Sequence, residues 1–507
     1  MRQLALIVAL SFVSLALAPA VTARGDTLAK VRARGALVWG GDSEGGGPYV
    51  FPDPAAPRRM TGFETELAEL LAADLGVRSQ FYQGLWQNLP ALLETGEIDV
   101  VLNGYELTPA RAGDMAHTRP YYVYQLVLLA RRDDPQLRTW DDLRHRTDGK
   151  KPKIGVLGGS GAHAYLTEHY GDAVEAIAYE GTTDAMREVE TGKLDATLTD
   201  LPAAVFYRGR FASLAEIGEP VGHGYYVLFL RRGDDTLRAA LDTAIGHLLD
   251  DGKLKALYEK YDLWNPPQEE LAALRDKSDG ELGVQATSLR GWAVIRSRGA
   301  LLVEAAGVTI LLACISMPLA MLLGLLVALA RMYGPAPLRW LVVAYIEILR
   351  GTPLMLQLFV IFFLLPEIGL TLPAFDAAVA GLAINYSAYE AEIYRAGMQA
   401  VPRGQMEAAV ALGMSPALAL RRIIIPQAWR IVVPPVTNDF IAMFKDTSVC
   451  SVITVMELTN QYKVQANDTG ATIELGALTA LLYLSMSIPL ARLATVLERR
   501  LSRPAKG

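Results

Sequence analysis

The chain is poor in cysteine. Only Cys314 and Cys450 occur in 507 residues, and both fall in apolar segments. The polar N-terminal half therefore holds no disulfide and no thiolate metal site. No G-x-x-x-x-G-K-[ST] sequence occurs, so the chain has no P-loop of its own. An excess of one charge is also missing. Forty-eight basic residues stand against 54 acidic ones, a formal net charge of −6, and nothing points to nucleic acid as a partner. No catalytic set, metal-ligand set or cofactor site is assigned.

Hydrophobic residues make up 51% and charged residues 20%, with a mean hydropathy of +0.23. The length exceeds one ordinary domain. This mixture is that of a soluble part joined to a membrane part. The first 23 residues read as an export signal. Arg2 supplies the positive start and Leu4 to Leu17 the short apolar stretch. Ala18-Pro19-Ala20 or Val21-Thr22-Ala23 supplies the small residues of a cleavage site. Cleaved or kept as an anchor, the segment places the residues after it outside the cytoplasm.

From 24 to 265, strand-like and helix-like runs alternate, an α/β pattern. "ALVWGGD" (Ala36 to Asp42), "EIDVVLNG", "KIGVLGGSG" and "LDATLTD" read as strands. In "GFETELAELLAADLG" (Gly62 to Gly76), Phe63, Leu67, Leu70, Leu71 and Leu75 fall at helical spacing. Glu64, Glu66, Glu69 and Asp74 lie between them, and Gly76 is the stop. Residues 266–292 are polar, open with Pro266-Pro267 and read as a linker or surface helix.

From 293 to 507 the chain is apolar. Ala305 to Ala330 has no charge and is long enough to cross a bilayer. Further spans are expected near 340–365, 375–398, 430–455 and 475–493, an all-α bundle of about five helices. An exported N-terminal half starts the first span outside. Counting spans then places 331–339, 395–430 and 492–507 inside, where Arg331, Arg339, Arg395, Arg403, Arg421, Arg422, Arg430, Arg492, Arg499, Arg500, Arg503 and Lys506 lie. The outside segments near 366–374 and 457–474 contain one basic residue, Lys463. This charge bias fits the positive-inside rule.

Between two spans lies "EAAVALGMSPALALRRIIIP", Glu407 to Pro426. Glu407, Ala408, Ala409, Gly413, Ile423 and Pro426 occupy every fixed position of a known pattern. The stretch resembles the cytoplasmic coupling loop of importer-type ABC transporter permeases, here about 400–426. In that family, two short helices joined at the glycine dock on an ATPase. The residue types suit this, since Gly413 and Pro416 permit a break and restart. "IEILRGTPLMLQLFVIFFLLP", "AYEAEIYRAGMQAVPRGQMEAA" and "FKDTSVCSVITVMEL" look like the polar amino-acid uptake permeases of the histidine and glutamine type, over residues 295–502. Charge in lipid is costly, so Arg350, Lys445 and Asp446 should face the bundle, a partner or an interface. Gly351-Thr352-Pro353 should bend or open a helix there.

The soluble half resembles the periplasmic amino-acid-binding proteins, a bilobed fold with crossing strands, over about 34–264. The resemblance rests on "GFETELAELLAADLG", "LPALLETGEIDVVLNGYELTPARA", "TRPYY", "KIGVLGGSG", "GKLDATLTD" and "DDGKLKALYEKYDLW". By analogy, one lobe is about 26–125 plus 222–265 and the other about 126–221. It implies Arg111 for a ligand carboxylate, with a helix started by Thr108-Pro109 beside it. Asp200 is implied for an ammonium, and the backbone around Ser160 for closure on the ligand. Asn103 and Gly104 occupy contact positions, and Trp86 is either a cleft wall or core. "GSGAHA" fits a loose dinucleotide fingerprint. That reading is rejected, because the surrounding lobe is too short for it and an exported domain does not meet NAD.

Three departures stand out. Gly45-Gly46-Gly47 replaces an aromatic platform, for which Tyr49 is a partial substitute. Glu106 stands where a small hydroxyl residue is common, and Gly161 where threonine is. With Asp200, and with Asp42 near, Glu106 makes the pocket more negative and leans toward a basic ligand. The other reading turns Glu106 away from the cleft to pair with an arginine. The implied partners are a cytoplasmic ABC ATPase, a small amino acid or related amine, the bilayer, and a second permease as homodimer or heterodimer. A ligand-gated channel uses the same binding fold but interrupts it with pore segments, and no TVGYG filter occurs. A tethered sensor would need a signalling domain longer than this tail.

Overall fold

The structure is a computed structural model that describes residues 27–44, 46–145, 149–285 and 290–501. The expected signal segment, Gly45, Arg503 and Lys506 lie outside the described residues. The chain divides into two compact units, 1–125 with 223–287, and 126–222 with 288–507.

The first unit is built on a five-stranded sheet. Its spatial order is Arg78–Gln83, Ala36–Gly41, Val100–Val101, Phe229–Leu230 and Ala116–His117. Ala36–Gly41 pairs in parallel with both neighbours. All six of its residues are buried, as the apolar run of a parallel strand covered on both faces requires. The helix expected at 62–76 is present as α1, Phe63–Asp74, with Gly76 at φ +73° closing it. Phe63, Leu67 and Leu71 are fully buried. Glu64, which pattern alone assigns to the polar side, is fully buried too. The strand expected over "EIDVVLNG" shrinks to Val100–Val101. On one side Asp99 turns its carboxylate to the Val38 N–H at 2.8 Å. On the other, Gly104 at φ +60° ends the run.

Part of the expected 266–292 linker is not a free connection. Pro266–Ala272 forms a short 3-10 helix. Gln268 is buried, accepts from Val123 N at 3.0 Å and donates to Val123 O at 2.7 Å. A side-chain amide thus serves a strand as a hydrogen-bonding neighbour, and Leu271 and Leu274 are buried beside it.

The second unit has an α/β part and a helical part. The sheet order is Leu214–Tyr226, Tyr122–Arg131, Ala196–Asp200, Lys153–Leu157 and Glu175–Tyr179. The first two strands carry the chain across the boundary between the units. The helical part begins with a 42-residue helix, Trp292–Tyr333, whose most apolar 18-residue stretch has a mean hydropathy of 2.6. At 1.5 Å per residue it is about 63 Å long, well beyond a bilayer core. Ala336–Gly351 and Leu354–Leu364 follow, bent by 110°, where a helix break was expected at Gly351-Thr352-Pro353. Then come Ala374–Gln399, Ile425–Asp446 and Thr472–Leu501.

Among the described residues, Trp292–Tyr333 and Thr472–Val496 are long and apolar enough to cross a membrane, and the bent pair makes a third if it is counted as one span. The spans expected near 375–398 and 430–455 fall on Ala374–Gln399 and Ile425–Asp446, which are not among these, and the second helix ends early because Asp446 is followed by a 3-10 turn, Thr447–Ile453. The first long helix packs on Ala374–Gln399. At Gly324 a Cβ would stand 2.5 Å from Glu390 Cβ and 3.0 Å from the Ser387 carbonyl oxygen, so glycine sets this approach. Leu312, Met317, Leu358, Leu382, Met443 and Ile453 fill the bundle core.

Candidate functional site

In the first unit, Arg111 lies on a six-residue helix, α2 (Pro109–Asp114). Thr108 is its N-cap, accepting from Arg111 N at 3.3 Å, and Pro109 is its first residue. The cap and proline read from sequence are where they were expected. Arg111 is 2% exposed and Glu106 1%. Arg111 Nη1 donates to Glu106 Oε2 at 2.6 Å and to the Glu106 carbonyl oxygen at 3.1 Å. The guanidinium lies 4.5 Å from the Tyr105 ring centroid and 5.1 Å from that of Trp86. Burial works against its charge, but Glu106 and Tyr105 more than offset this and hold its pKa above the usual arginine value. The second positive group that Glu106 calls for is therefore present in the protein. Glu106 thus gives no reason to expect a basic ligand.

The neighbouring candidates form a tight frame. Asp42 N donates to Asn103 Oδ1 at 2.6 Å. The Asp42 carboxylate accepts from Trp86 N at 2.9 Å, and from Gln83 Nε2 and Glu44 N at 3.0 Å. Trp86 is buried, with Nε1 donating to the Asn103 carbonyl at 3.0 Å and its ring against Tyr105 at 4.5 Å. Tyr49 is buried, and its hydroxyl meets that of Tyr226 at 3.0 Å. A Cβ at Gly104 would come within 2.8 Å of the Tyr49 ring. Sequence reading missed Tyr105, Tyr226 and Glu64. Glu64 accepts from Gly104 N at 2.8 Å and from the Tyr121 hydroxyl at 2.5 Å. No local signal marks these residues, since each acts through a distant segment.

In the second unit, Ser160 is the N-cap of α3 (Gly161–Tyr170) and accepts from His163 N at 3.3 Å. Gly159 stands at φ +74°, a conformation that favours glycine. Asp200 ends its strand and begins α4 (Leu201–Tyr207).

The segment 400–426 is two short helices about a glycine. α5 (Arg403–Ala411) ends before Gly413 at φ +85°. Ser415 then caps α6 (Pro416–Ala419), accepting from Leu418 N at 3.3 Å. A π-turn over Leu420–Ile424 leads into α7 (Ile425–Asp446), with Pro426 in its first turn. Ala409 is buried, whereas Glu407, Ala408 and Pro426 are exposed. Leu412 is 84% exposed and Val410 45%. A small apolar face bordered by charge is left open.

At the helix break, Gln357 Nε2 donates to the Leu349 carbonyl at 2.9 Å and to Thr352 Oγ1 at 2.9 Å. It satisfies backbone that Pro353 cannot continue. Arg350 is exposed at the end of its helix, 5.5 Å from the Tyr389 ring centroid. Lys445 is exposed, and Asp446 accepts from the Tyr386 hydroxyl at 2.6 Å.

Residues 42–263 match the bacterial extracellular solute-binding proteins, family 3. Residues 320–503 match the binding-protein-dependent transport system inner membrane component. Over 196 residues the chain is 41% identical to the L-cystine transport system permease protein TcyB of Bacillus subtilis (strain 168), covering 38% of this chain and 84% of that one. The chain belongs to this inner-membrane permease family. The glutamine transport system permease protein GlnP of Escherichia coli (strain K12) is 34% identical over 212 residues, 41% of this chain and 97% of that one. The crystal structure of the ancestral amino acid-binding protein AncCDT-1, a precursor of cyclohexadienyl dehydratase, is 28% identical, covers 46% of this chain and 99% of that one, and has a TM-score of 0.42.

The permease is thus a multi-pass inner-membrane protein with its solute-binding domain outside the cytoplasm. It joins solute capture to membrane translocation as one subunit of an uptake transporter, with an ATPase as partner. The comparisons give no support to a ligand-gated channel or a sensor.

Proposed function

We propose that this permease captures an amino acid or related amine and passes it inward, and that a separate ATPase supplies all the energy. The observation that carries this reading is the joining of a family 3 binding domain and an amino-acid-type permease in one chain. In the first unit, Arg111 supplies the positive charge for a solute carboxylate. Glu106 and the Trp86 and Tyr105 rings hold the guanidinium plane in place beforehand, which lowers the ordering cost of binding. In the second unit, Ser160 and its turn supply backbone groups, and Asp200 supplies the charge for an ammonium. Asp42 and Asn103 act by bracing this frame.

The segment 400–426 receives the ATPase, with Leu412 and Val410 the apolar residues it covers and Glu407 at the rim. One permease domain makes half a pathway, so a homodimer is the simplest assembly. The division at about residue 265 and the export of the N-terminal half belong to the same reading. A thermal-shift screen of the purified full chain against the proteinogenic amino acids and simple amines tests it. Binding to the native state raises the unfolding midpoint, and a rise is expected for a narrow set of amino acids. No rise with any amino acid or amine would remove the reading.

A further inference from the structure

Lys463 is the single basic residue of the segments 366–374 and 457–474, and charge bias alone gives it no reason to be there. It lies on α8 (Leu458–Thr469), a helix outside the expected spans. Its Nζ donates to Glu180 Oε1, in the α/β part of the same unit, at 2.7 Å. One turn further along α8, Asn467 Nδ2 donates to the Gly159 carbonyl oxygen at 3.1 Å. Positions 463 and 467 share one face of a helix. Glu180 directly follows the strand Glu175–Tyr179, and Gly159 directly precedes Ser160.

A second point of contact lies beyond this face. Lys193 Nζ donates to the Phe362 carbonyl oxygen at 2.7 Å and stands 3.9 Å from the Phe362 ring centroid. Phe362 belongs to the bent helix pair. Between the two points is a cavity of about 510 Å³, lined in part by Tyr179, Glu188, Phe362 and Thr454.

α8 is held firmly at both ends. Glu457 is its N-cap, fully buried, accepting from Asn460 N at 2.7 Å, Thr459 N at 2.8 Å and the Tyr483 hydroxyl at 3.1 Å. Near its other end, Asp468 pairs with Arg298 at 2.8 Å. Such mounting presents Lys463 and Asn467 in a fixed geometry, which is what a docking surface needs.

We propose that α8 is a docking clamp for the α/β part of the chain's own binding domain, in which Lys463 takes the Glu180 carboxylate and Asn467 takes the carbonyl of Gly159. The clamp grips the backbone of the turn assigned above to solute contact. Gly159 is required twice, for its positive φ and because a Cβ there would run into the Asn467 amide. The Lys463–Glu180 pair is about a third exposed. It sets register and approach more than affinity, while the buried Asn467 contact supplies the fit. The clamp rests on the reading of 126–222 as part of an extracytoplasmic binding domain, and its test needs no knowledge of the solute.

The test is cross-linking in the full-length chain in membrane vesicles. A Cβ at Gly159 would lie 3.1 Å from Asn467 Cβ, close to the roughly 3.8 Å of a disulfide. Gly159→Cys with Asn467→Cys, oxidised with copper phenanthroline, should give an intrachain disulfide seen as a shifted monomer band. Each single variant should not. Because cysteine is strained at that φ, Glu180→Cys with Lys463→Cys, bridged by a short bismaleimide, probes the same face with Gly159 retained. Reversing one charge, Lys463→Glu, should slow the first cross-link on the order of tenfold. Adding Glu180→Lys should restore it. Neither cross-link forming in folded, membrane-inserted protein would overturn the clamp. A disulfide-linked dimer would overturn docking within one chain. A charge reversal without effect would overturn the assigned ion pair.

Discussion

Glu106 and Arg111 form a buried ion pair at 2.6 Å, with side chains 1% and 3% exposed. Removing one member leaves the other charge buried without its counterpart, at a cost of about 3–5 kcal/mol. Glu106→Ala and Arg111→Ala should therefore each lower the unfolding midpoint of the purified chain. The double replacement Glu106→Leu, Arg111→Met should cost less than the sum of the singles. Arg111→Ala should also weaken solute binding by about 2–5 kcal/mol. Thermal unfolding of the four proteins, with calorimetry using the solute found by the screen, checks both statements. Wild-type stability and affinity in both single variants would make the pair a bystander.

What the sequence made legible was local. Thr108-Pro109 marks a helix start wherever it folds, Gly413-Met414-Ser415-Pro416 marks a break and restart, and Gly351-Thr352-Pro353 marks a bend. Each of these needs only the chain's own dihedral preferences. The missed features are long-range. Gln268 serves a strand 145 positions away, and Lys463 meets Glu180 across 283 positions. Glu64 sits at a polar position of α1, yet burial sets its environment. The Glu106–Arg111 pair spans only five positions but depended on which way Glu106 pointed. At a strand end, side-chain direction is set by register, which residue pattern alone does not fix.

Gly413 tests the segment proposed to receive the ATPase. At φ +85° no atom lies within 4 Å of where its Cβ would be, so substitution acts through backbone strain alone. A β-branched residue there should cost about 1–2 kcal/mol locally and displace α5 from α6. Gly413→Val should abolish solute-stimulated ATP hydrolysis by the assembled transporter while leaving solute binding intact. Gly413→Asn, which tolerates positive φ, should retain much of the activity. Equal activity in both would mean that the hinge conformation is not used.

Gly324 tests the packing of the bundle. The Cβ of alanine would meet Glu390 Cβ at 2.5 Å and the Ser387 carbonyl oxygen at 3.0 Å. Backbone on one side leaves little room to give. Gly324→Ala should destabilise the helical part by about 1–3 kcal/mol, read as a lower aggregation temperature in detergent. Gly307→Ala, on the same helix with open space around it, should have no such effect.

His163 gives the turn at Gly159 a pH dependence. Its Nδ1 faces the Gly159 N–H at 3.2 Å and acts as the acceptor only while unprotonated. Burial lowers its pKa from the usual histidine value, and Asp468 partly opposes this. A histidine whose folded pKa is depressed contributes stability above its unfolded pKa of about 6.5 and loses it as pH falls toward the folded value. Hydrogen-exchange protection of the Gly159 amide should therefore fall as the pH drops below about 6.5. In His163→Phe it should be low throughout and flat with pH. A wild-type profile without slope would contradict the assignment of Nδ1 as acceptor.

Under the proposed function, capture and passage belong to this chain and energy to another. This division is tested most directly by uptake into proteoliposomes of the radiolabelled amino acid found by the screen. Three preparations are compared: the chain alone with ATP, the chain with its ATPase subunit but no ATP, and the chain with both. Accumulation against a gradient is expected only with both, and no ATP hydrolysis by the chain alone. Solute accumulation or ATP hydrolysis by the chain alone, or a solute-gated ion current without the ATPase, would contradict this division.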